Sequence, residues 1–342
     1  MIDLFVVGGG PAGLATAIHA AHAGLDVVVA EPRPTPIDKA CGEGLMPGAV
    51  RALEALGIEV PGRPLHGIRY VDAAGGQRAE AAFKAGHGLG ARRILLHEAL
   101  AARAARLGVR VVPHRVRRVD RHDDHVTADG TAARYLVAAD GLHSPTRRAL
   151  GLAVRPDPRR QPPRYGLRRH YAVEPWSDLV EVHWSGGCEA YVTPLGPRQV
   201  GVAILTSEQL PYDAQLSRFP VLESRLSTAR RTPVRGAGPL RRRARCRVAG
   251  RVLFVGDAAG YVDALTGEGL GLALLGAAEL VRCLSADRPQ ECERAWCRLS
   301  RGYRMLTRSL LWARSQPRPA PLITPAAARF PGLFRHAVDL LA

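Results

Sequence analysis

Three glycines, Gly8, Gly10 and Gly13, sit in the stretch VVGGGPAGLATAIHAAHAGLDVVVAE, between an apolar run and an alanine-rich one. A carboxylate, Glu31, closes the next apolar run. The G-x-G-x-x-G spacing suits a strand-to-helix turn. Gly8 permits the tight turn, Gly10 lets a phosphate group approach the backbone, and Gly13 lets the helix lie close against the strand. Pro11 and Ala12 complete the loop and open a helix whose free amides and positive end face an anion. Glu31, about 20 residues on, is placed to accept hydrogen bonds from ribose hydroxyls. Strand, turn, helix, second strand and acid at these distances predict a dinucleotide site, although the motif alone does not separate NAD from FAD.

Four further stretches carry residues of the same kind. DKACGEGLMPGAVRALEALGI places Cys41 and Gly42 in a small-residue loop before a helix beginning at about Pro47. ARRILLHEAL fits R-x-x-L-x-x-x-L at Arg93, Leu96 and Leu100. YLVAADGLHSPTRRALGL reads as a strand that delivers Asp140 to a turn. The last, RVLFVGDAAGYVDALTGEGLGLALLGA, repeats the strand, glycine turn and helix pattern far down the chain, with Asp257 in the turn and the helix beginning near Gly267.

These residues need a large α/β framework, and 342 residues with 46% hydrophobic content supply one. The net charge of +17 is almost wholly arginine, since Lys39 and Lys84 are the only lysines. GC-rich coding accounts for that bias, so no nucleic-acid partner is expected. The RRRARCR run and the arginine-rich tail from Arg301 to Arg335 are read as solvated faces, with the tail a candidate for peripheral contact with an anionic membrane. Six cysteines without C-x-x-C spacing suggest neither a disulfide framework nor a metal site. The strand-like N-terminus and the lack of a long uncharged apolar run predict a cytoplasmic protein.

Period-two alternation in YGLRRHYAV, LVEVHWS, EAYVTPLG and QVGVAIL, with Gly and Pro at the breaks, predicts an antiparallel sheet over Tyr165 to Leu205. Leu65 to Gly90 reads as a hairpin of the same unit. The Pro- and Arg-rich segment Arg155 to Arg164 marks a boundary. After Asp287 the chain is helical in character until SQPRPAPLITP breaks it.

Taken together, the GxGxxG, DG and GD motifs resemble, in order and spacing, the flavoprotein family that contains the p-hydroxybenzoate hydroxylase-like aromatic hydroxylases and the geranylgeranyl reductases. The resemblance covers roughly residues 1 to 285. It implies an α/β fold: a Rossmann-like FAD-binding domain (1–64, 91–150 and 248–286), an inserted antiparallel-sheet substrate domain (65–90 and 151–247), and a C-terminal helical segment (287–342). It implies FAD as cofactor, with NAD(P)H as transient electron donor. By the same resemblance Asp257 reaches the ribityl chain and Arg93 the ribityl or phosphate region. Cys41 and Gly42 line the flavin site, and Gly267, Glu268, Gly269 and Leu270 lie near the flavin pyrimidine edge, where a helix N-terminus favours developing negative charge.

The resemblance leaves the reaction open. CGEGL and GDAAGYVDALTGEGL are similar to the reductase branch, and Gly260 stands where many hydroxylases carry His. The Y-x-W-x-F-P signature of prenyl reductases is met only by EAYVTP, with Glu189 and Tyr191 at the Tyr and Trp positions. The favoured expectation is a monooxygenase acting on a small apolar or phenolic secondary metabolite, the alternative a reductase of isoprenoid double bonds. A halogenase and a non-enzymatic FAD-binding protein are minor alternatives. No catalytic base is named. Arg168, His170, His183 and Tyr191 are the substrate-side candidates, with Arg168 and His170 on one face of the sheet and His183 opposite Trp184.

Overall fold

The computed structural model describes residues 1–154, 157 and 162–341. Most of the boundary segment Arg155 to Arg164 therefore lies outside the described residues. Two eight-stranded sheets dominate the rest.

The first sheet has a parallel core in the spatial order Val252–Phe254, Thr131–Ala138, Ile2–Val7, Val27–Ala30, Arg110–Val112. Its inner strands are apolar where they are buried, as in Val27–Ala30 and Val252–Phe254, because both faces are covered there. Leu4, Val6, Val29 and Val137 pack against Leu14 and Ile18 of the helix Pro11–His22 and Leu274 of the helix Gly269–Ser285. Phe5, Val28, Leu136 and Phe254 fill the other face. The late strand Val252–Phe254 pairs in parallel with Thr131–Ala138, Leu136 against Val252. The second glycine-rich turn is thereby carried to the strand ends that also bear the first.

The second sheet runs in the order Arg230–Arg231, Tyr165–Ala172, Gln199–Thr206, Cys188–Gly196, Val180–Ser185, Gly67–Asp72, Arg78–Ala82. The expected antiparallel pairing holds except at one seam, where Gly67–Asp72 lies parallel to Val180–Ser185 in the register Ile68 to Val180. Parallel neighbours need a long crossover, and here about a hundred residues of chain separate the two strands. Gly67–Asp72 and Arg78–Ala82 form the expected hairpin. Gly88–Gly90 leaves it to pair with Gly44–Leu45 and Arg63–Leu65.

Gly90 is where the small sheet meets the large one, because a Cβ there would lie 1.7 Å from the Pro194 carbonyl oxygen. After Ser285 the chain forms the helices Glu291–Leu299 and Arg301–Ser315, breaks, and resumes at Ile323–Arg329 and Pro331–Asp339. The last of these seals one face of the second sheet: Phe334 and Val338 pack with Tyr70 and Trp184, the Tyr70 and Phe334 ring centroids 4.6 Å apart. Among the described residues no helix is long and apolar enough to cross a membrane, and no His/Cys/Asp/Glu cluster could hold a metal ion.

Candidate active site

The N-terminal glycine turn is built on close approach. Gly8 has φ +106°, and a Cβ there would lie 2.6 Å from the carbonyl oxygen of Ala139. A Cβ on Gly13 would lie 1.8 Å from the Gly8 carbonyl oxygen, so the helix can start here only with glycine at that position. Nothing lies within 4 Å of the corresponding point on Gly10, which leaves the loop open to a ligand beside Pro11 and Ala12. Glu31 is buried. Its Oε2 accepts the Gly9 amide at 2.9 Å, and its Oε1 accepts the Arg33 amide and Nε at 3.0 and 2.7 Å. Burial would raise this carboxyl, but Arg33 and the Gly9 amide overcome burial and hold it below its ordinary range. The half-exposed Arg33 thus covers the acid that a ribose would reach.

The second turn, a 3-10 segment Gly256–Ala259, lies directly against the first: a Cβ on Gly256 would stand 2.7 Å from the Cβ of Ala12. Arg147, buried, fixes the two later motifs together. Its Nη1 donates to the carbonyls of Asp257 and Ala258, and its Nη2 donates to that of Leu142. Asp140 accepts the Thr146 amide at 2.9 Å through Oδ2, while its Oδ1 is buried with no partner. Burial pushes the Asp257 carboxyl up, opposed by the charges of Lys39, Arg93 and Arg147. Arg93 begins the helix Arg93–Arg106, anchored by the buried Leu96 and Leu100, and its buried Nη1 also lacks a partner.

The loop before Pro47 joins this cradle to the second sheet. Glu43, with φ +61°, is buried; its Oε1 accepts the Arg93 amide at 2.9 Å and its Oε2 lies 2.6 Å from His170 Nε2. Arg168 Nη1 is 3.2 Å from His170 Nδ1, and its Nη2 donates to Asp38 Oδ1 at 2.5 Å. Because the guanidinium can only donate, His170 Nδ1 is the acceptor, and Nε2–H donates to Glu43. The Glu43 amide donates to Cys41 Sγ at 3.3 Å, and burial, then the Glu43 charge, push the Cys41 thiol up. Thr193 holds the Gly42 carbonyl at 2.8 Å.

Tyr191, on the same face, donates to the Leu265 carbonyl at 2.6 Å and so fixes the loop that leads to Gly267 and Glu268. Glu268 caps the helix Gly269–Ser285. Burial alone pushes its carboxyl to about 8, and its buried Oε1 has no partner. Gly269 lies under the Tyr261 ring, and Leu270 packs on the first core.

Arg168, His170 and Tyr191 are therefore gathered on the face that meets the cradle. His183 is not: it lies on the opposite face, bonded to Glu181 at 3.1 Å and edge-on to the Phe219 ring. Sequence reasoning also passed over four residues, Lys39, Glu43, His97 and Arg147. His97 stands one turn after Arg93, where an i, i+4 reading of the helix could have found it. Its Nδ1 accepts the Ile37 amide, its Nε2 donates to the Gly9 carbonyl at 2.9 Å, and burial pushes the ring below its ordinary range.

The residues fit a flavin dinucleotide. Arg93 Nη1, Asp140 Oδ1 and Glu268 Oε1 are buried polar atoms awaiting partners, and Lys39 and Arg93 supply positive charge beside the open Gly10 loop. Residues 1–163 match the family model described as an FAD binding domain. The menaquinone reductase of Mycolicibacterium smegmatis is 30% identical over 391 residues, covering 99% of this chain and 91% of that protein. The chain belongs to the FAD-dependent oxidoreductase family of aromatic hydroxylases and geranylgeranyl reductases. A digeranylgeranylglycerophospholipid reductase of Methanopyrus kandleri is 31% identical over 303 residues, covering 80% of this chain and 77% of that one. Among solved structures a flavin-dependent brominase superposes with a TM-score of 0.82 at 16% identity, over 99% of this chain and 93% of its own. At that identity the likeness speaks of the fold alone.

Proposed function

We propose that this flavoprotein reduces a carbon–carbon double bond of an isoprenoid chain carried by a lipophilic substrate. One observation carries the reading: the relatives at 30–31% identity that share most of its length are named as reductases, and menaquinone and a digeranylgeranyl phospholipid both bear isoprenoid chains. That reverses the order of preference drawn from sequence. The site supports it chemically. FAD, when bound, supplies the two-electron transfer. The protein must then hold an apolar chain, exclude water and deliver one proton. Met46, Leu65, Tyr70, Trp184 and Leu265 belong to an apolar cluster on the cradle side of the second sheet, and burial and the Glu43 charge push the Cys41 thiol above its ordinary range. Gly8, Gly10, Gly13, Arg93, Asp140 and Asp257 hold the dinucleotide.

A surface suited to such a substrate accompanies the site. From residue 301 onward the chain carries seven arginines and one carboxylate, Asp339, and Met305, Trp312, Phe330 and Leu333 are exposed there. Basic and apolar side chains together fit peripheral contact with an anionic bilayer.

Hydroxylation is the second reading, favoured by the substrate sheet. Where prenyl reductases carry Tyr and Trp, Glu189 is tied to Arg164 and Arg314, and Tyr191 to the Leu265 carbonyl. The deciding experiment reduces the FAD-loaded protein without oxygen, with NAD(P)H as the first donor tried. Menaquinone or a geranylgeranyl lipid is added, and the sample is divided with and without air. Product heavier by two hydrogens in the anaerobic half, and still so after the quinone ring is reoxidised, is expected. Product heavier by one oxygen atom, formed only in air, would overturn the reductase reading in favour of the second.

A further inference from the structure

A cavity of about 230 Å³ has walls formed wholly by residues between Arg241 and Arg308, and none by the N-terminal glycine loop, Glu31, Arg93 or Asp140. It lies behind the dinucleotide cradle and touches it only through Gly256, Asp257 and Gly269. Seven arginines and two carboxylates, Asp257 and Glu279, stand among its lining. Arg247 is answered, by Glu293 at 2.8 Å and by the Trp296 ring, whose centroid lies 3.9 Å from its Cζ. Arg241, Arg243, Arg304 and Arg308 have no carboxylate within ion-pair distance among the described residues. Arg304 is instead propped over the Trp296 ring at 5.1 Å.

Arg308 acts on both Arg241 and Arg304. Burial, then Arg243 and Arg308, push Arg241 below its ordinary value; burial, then Arg308 and Arg247, do the same to Arg304. Asp263 opposes the effect at Arg241 without pairing with it, and like charges gathered without a bonded carboxylate are relieved when something anionic joins them. A guanidinium fork matches phosphate oxygens in shape as well as in charge. The space is smaller than the roughly 300–1,000 Å³ of a pocket that engulfs a whole ligand, so it suits a head group whose remainder lies outside.

We propose that this cavity is a binding site for a phosphate-bearing ligand, taking its diphosphate between Arg241, Arg243, Arg304 and Arg308. The cavity shares Asp257 and Gly269 with the flavin cradle but takes its arginines from elsewhere, so the proposal stands or falls apart from the reaction assigned to the flavin. It is also placed to be felt there. Tyr261 lines the cavity, and its ring lies where a Cβ on Gly269 would come within 3.2 Å, at the first turn of the helix assigned to the flavin edge. Two sources of a diphosphate are chemically open, a pyridine dinucleotide acting as electron donor and an isoprenyl diphosphate.

The test titrates the FAD-loaded protein with inorganic pyrophosphate by calorimetry at 50 and 200 mM salt. Saturable one-site binding that weakens with salt is expected, reduced at least tenfold in an Arg241→Ala/Arg308→Ala double variant and less in the corresponding double lysine variant. An Arg329→Ala/Arg335→Ala pair, exposed and outside the cavity, should leave binding unchanged. FAD content and far-UV spectra establish that each variant is folded. Tighter competition by ADP-ribose than by geranyl diphosphate points to a dinucleotide as the source, and the reverse order to an isoprenoid. No saturable binding, or the same loss in the exposed pair as in the cavity pair, would overturn the proposal whatever reaction the flavin performs.

Discussion

The two faces of the second sheet carry nearly the same residue types and use them differently. On the face toward the glycine turns, His170 bonds Glu43, a residue 127 positions away on the loop that also holds Cys41, and Arg168 bonds Asp38 from that loop. On the other face, His183 bonds Glu181 two residues away on its own strand, and Arg69 and Trp176 complete the acid's shell at 2.6 and 2.9 Å. The first set ties the sheet to the cradle. The second ties the sheet to itself. A His, an acid and an arginine on a strand are therefore informative only once it is known which element supplies the acid.

The largest effect should come from breaking the cross-element set. Glu43→Ala strips the Arg93 amide and His170 of their shared acceptor in a buried place, a loss of about 3–5 kcal/mol by analogy with a broken buried ion pair. Flavin content after gel filtration should fall sharply. Glu181→Ala, with the same burial, should lower stability yet leave the folded fraction yellow. Equal flavin retention in the two variants would dissolve the distinction between the faces.

Next comes Asp257→Ala, which should weaken FAD binding roughly ten- to a hundredfold, the worth of about 1.5–3 kcal/mol for a charged acceptor. Asp140→Ala should cost less affinity, because one Asp140 oxygen is already engaged by the Thr146 amide, and should show more in the melting temperature. Equilibrium dialysis of FAD against both variants checks the order. A larger affinity loss for Asp140 would reverse the assignment of these two carboxylates.

How much of this was legible in sequence follows from what each residue interacts with. The first glycine turn and Glu31 are legible from spacing within one strand–helix–strand unit, and Asp140 and Asp257 from the resemblance of their motifs. Leu96 and Leu100 were readable from helical periodicity. Alternation placed Arg168 and His170 together and His183 apart, as the register has it, since face is a property of the strand itself. It could not say what covers each face. That depends on a loop from residues 38–44 and helices beyond residue 323 on the cradle face, and on the helices Tyr212–Leu216 and Pro220–Leu226 on the far one, none of which leaves a mark on the strands. Glu43 was passed over between Cys41 and Gly44 for that reason, and Arg147 because a second arginine beside Arg148 reads as surface charge. The parallel seam between Gly67–Asp72 and Val180–Ser185 was hidden likewise, since pairing across about a hundred residues has no local signature.

The two faces should also differ in the sign of their pH dependence. Glu268, on the cradle side, keeps its proton up to about pH 8, whereas the unfolded carboxyl releases it near 4.5. Between those values the folded state binds more protons, so this group's contribution to stability falls as pH rises, by at most about 1.4 kcal/mol per pH unit, and levels off above about 8. Glu181 is held down to about 2: burial opposes ionisation, but His183, Trp176 and Arg69 outweigh it. Its stabilisation is present above the unfolded value near 4.5 and is lost as pH falls toward 2. Denaturant titrations of flavin-free protein should show wild type falling below Glu268→Gln in relative stability from pH 5 to 8. The gap between wild type and Glu181→Gln should stay constant there and close only below about 4.5. Parallel curves for Glu268→Gln and wild type would mean that burial does not hold the Glu268 proton.

The smallest expected effect is the most exact test of the two faces, because it applies one conservative change to both. His183→Gln and His170→Gln each replace an imidazole by an amide that can still donate to the neighbouring carboxylate. On the far face the acid retains Arg69 and Trp176, so His183→Gln should cost about 1 kcal/mol, a shift of roughly 2 °C in melting temperature, and no flavin. On the cradle face the imidazole also accepts from Arg168, whose other nitrogen positions Asp38 beside the loop. His170→Gln must disturb either Glu43 or Arg168, since one amide at that distance cannot serve both. Its melting temperature should fall by a similar few degrees, while FAD affinity drops several-fold and turnover falls with it. Melting and flavin titration on the same samples separate the outcomes: two variants alike in both readouts would mean that His170, like His183, only holds its own sheet together.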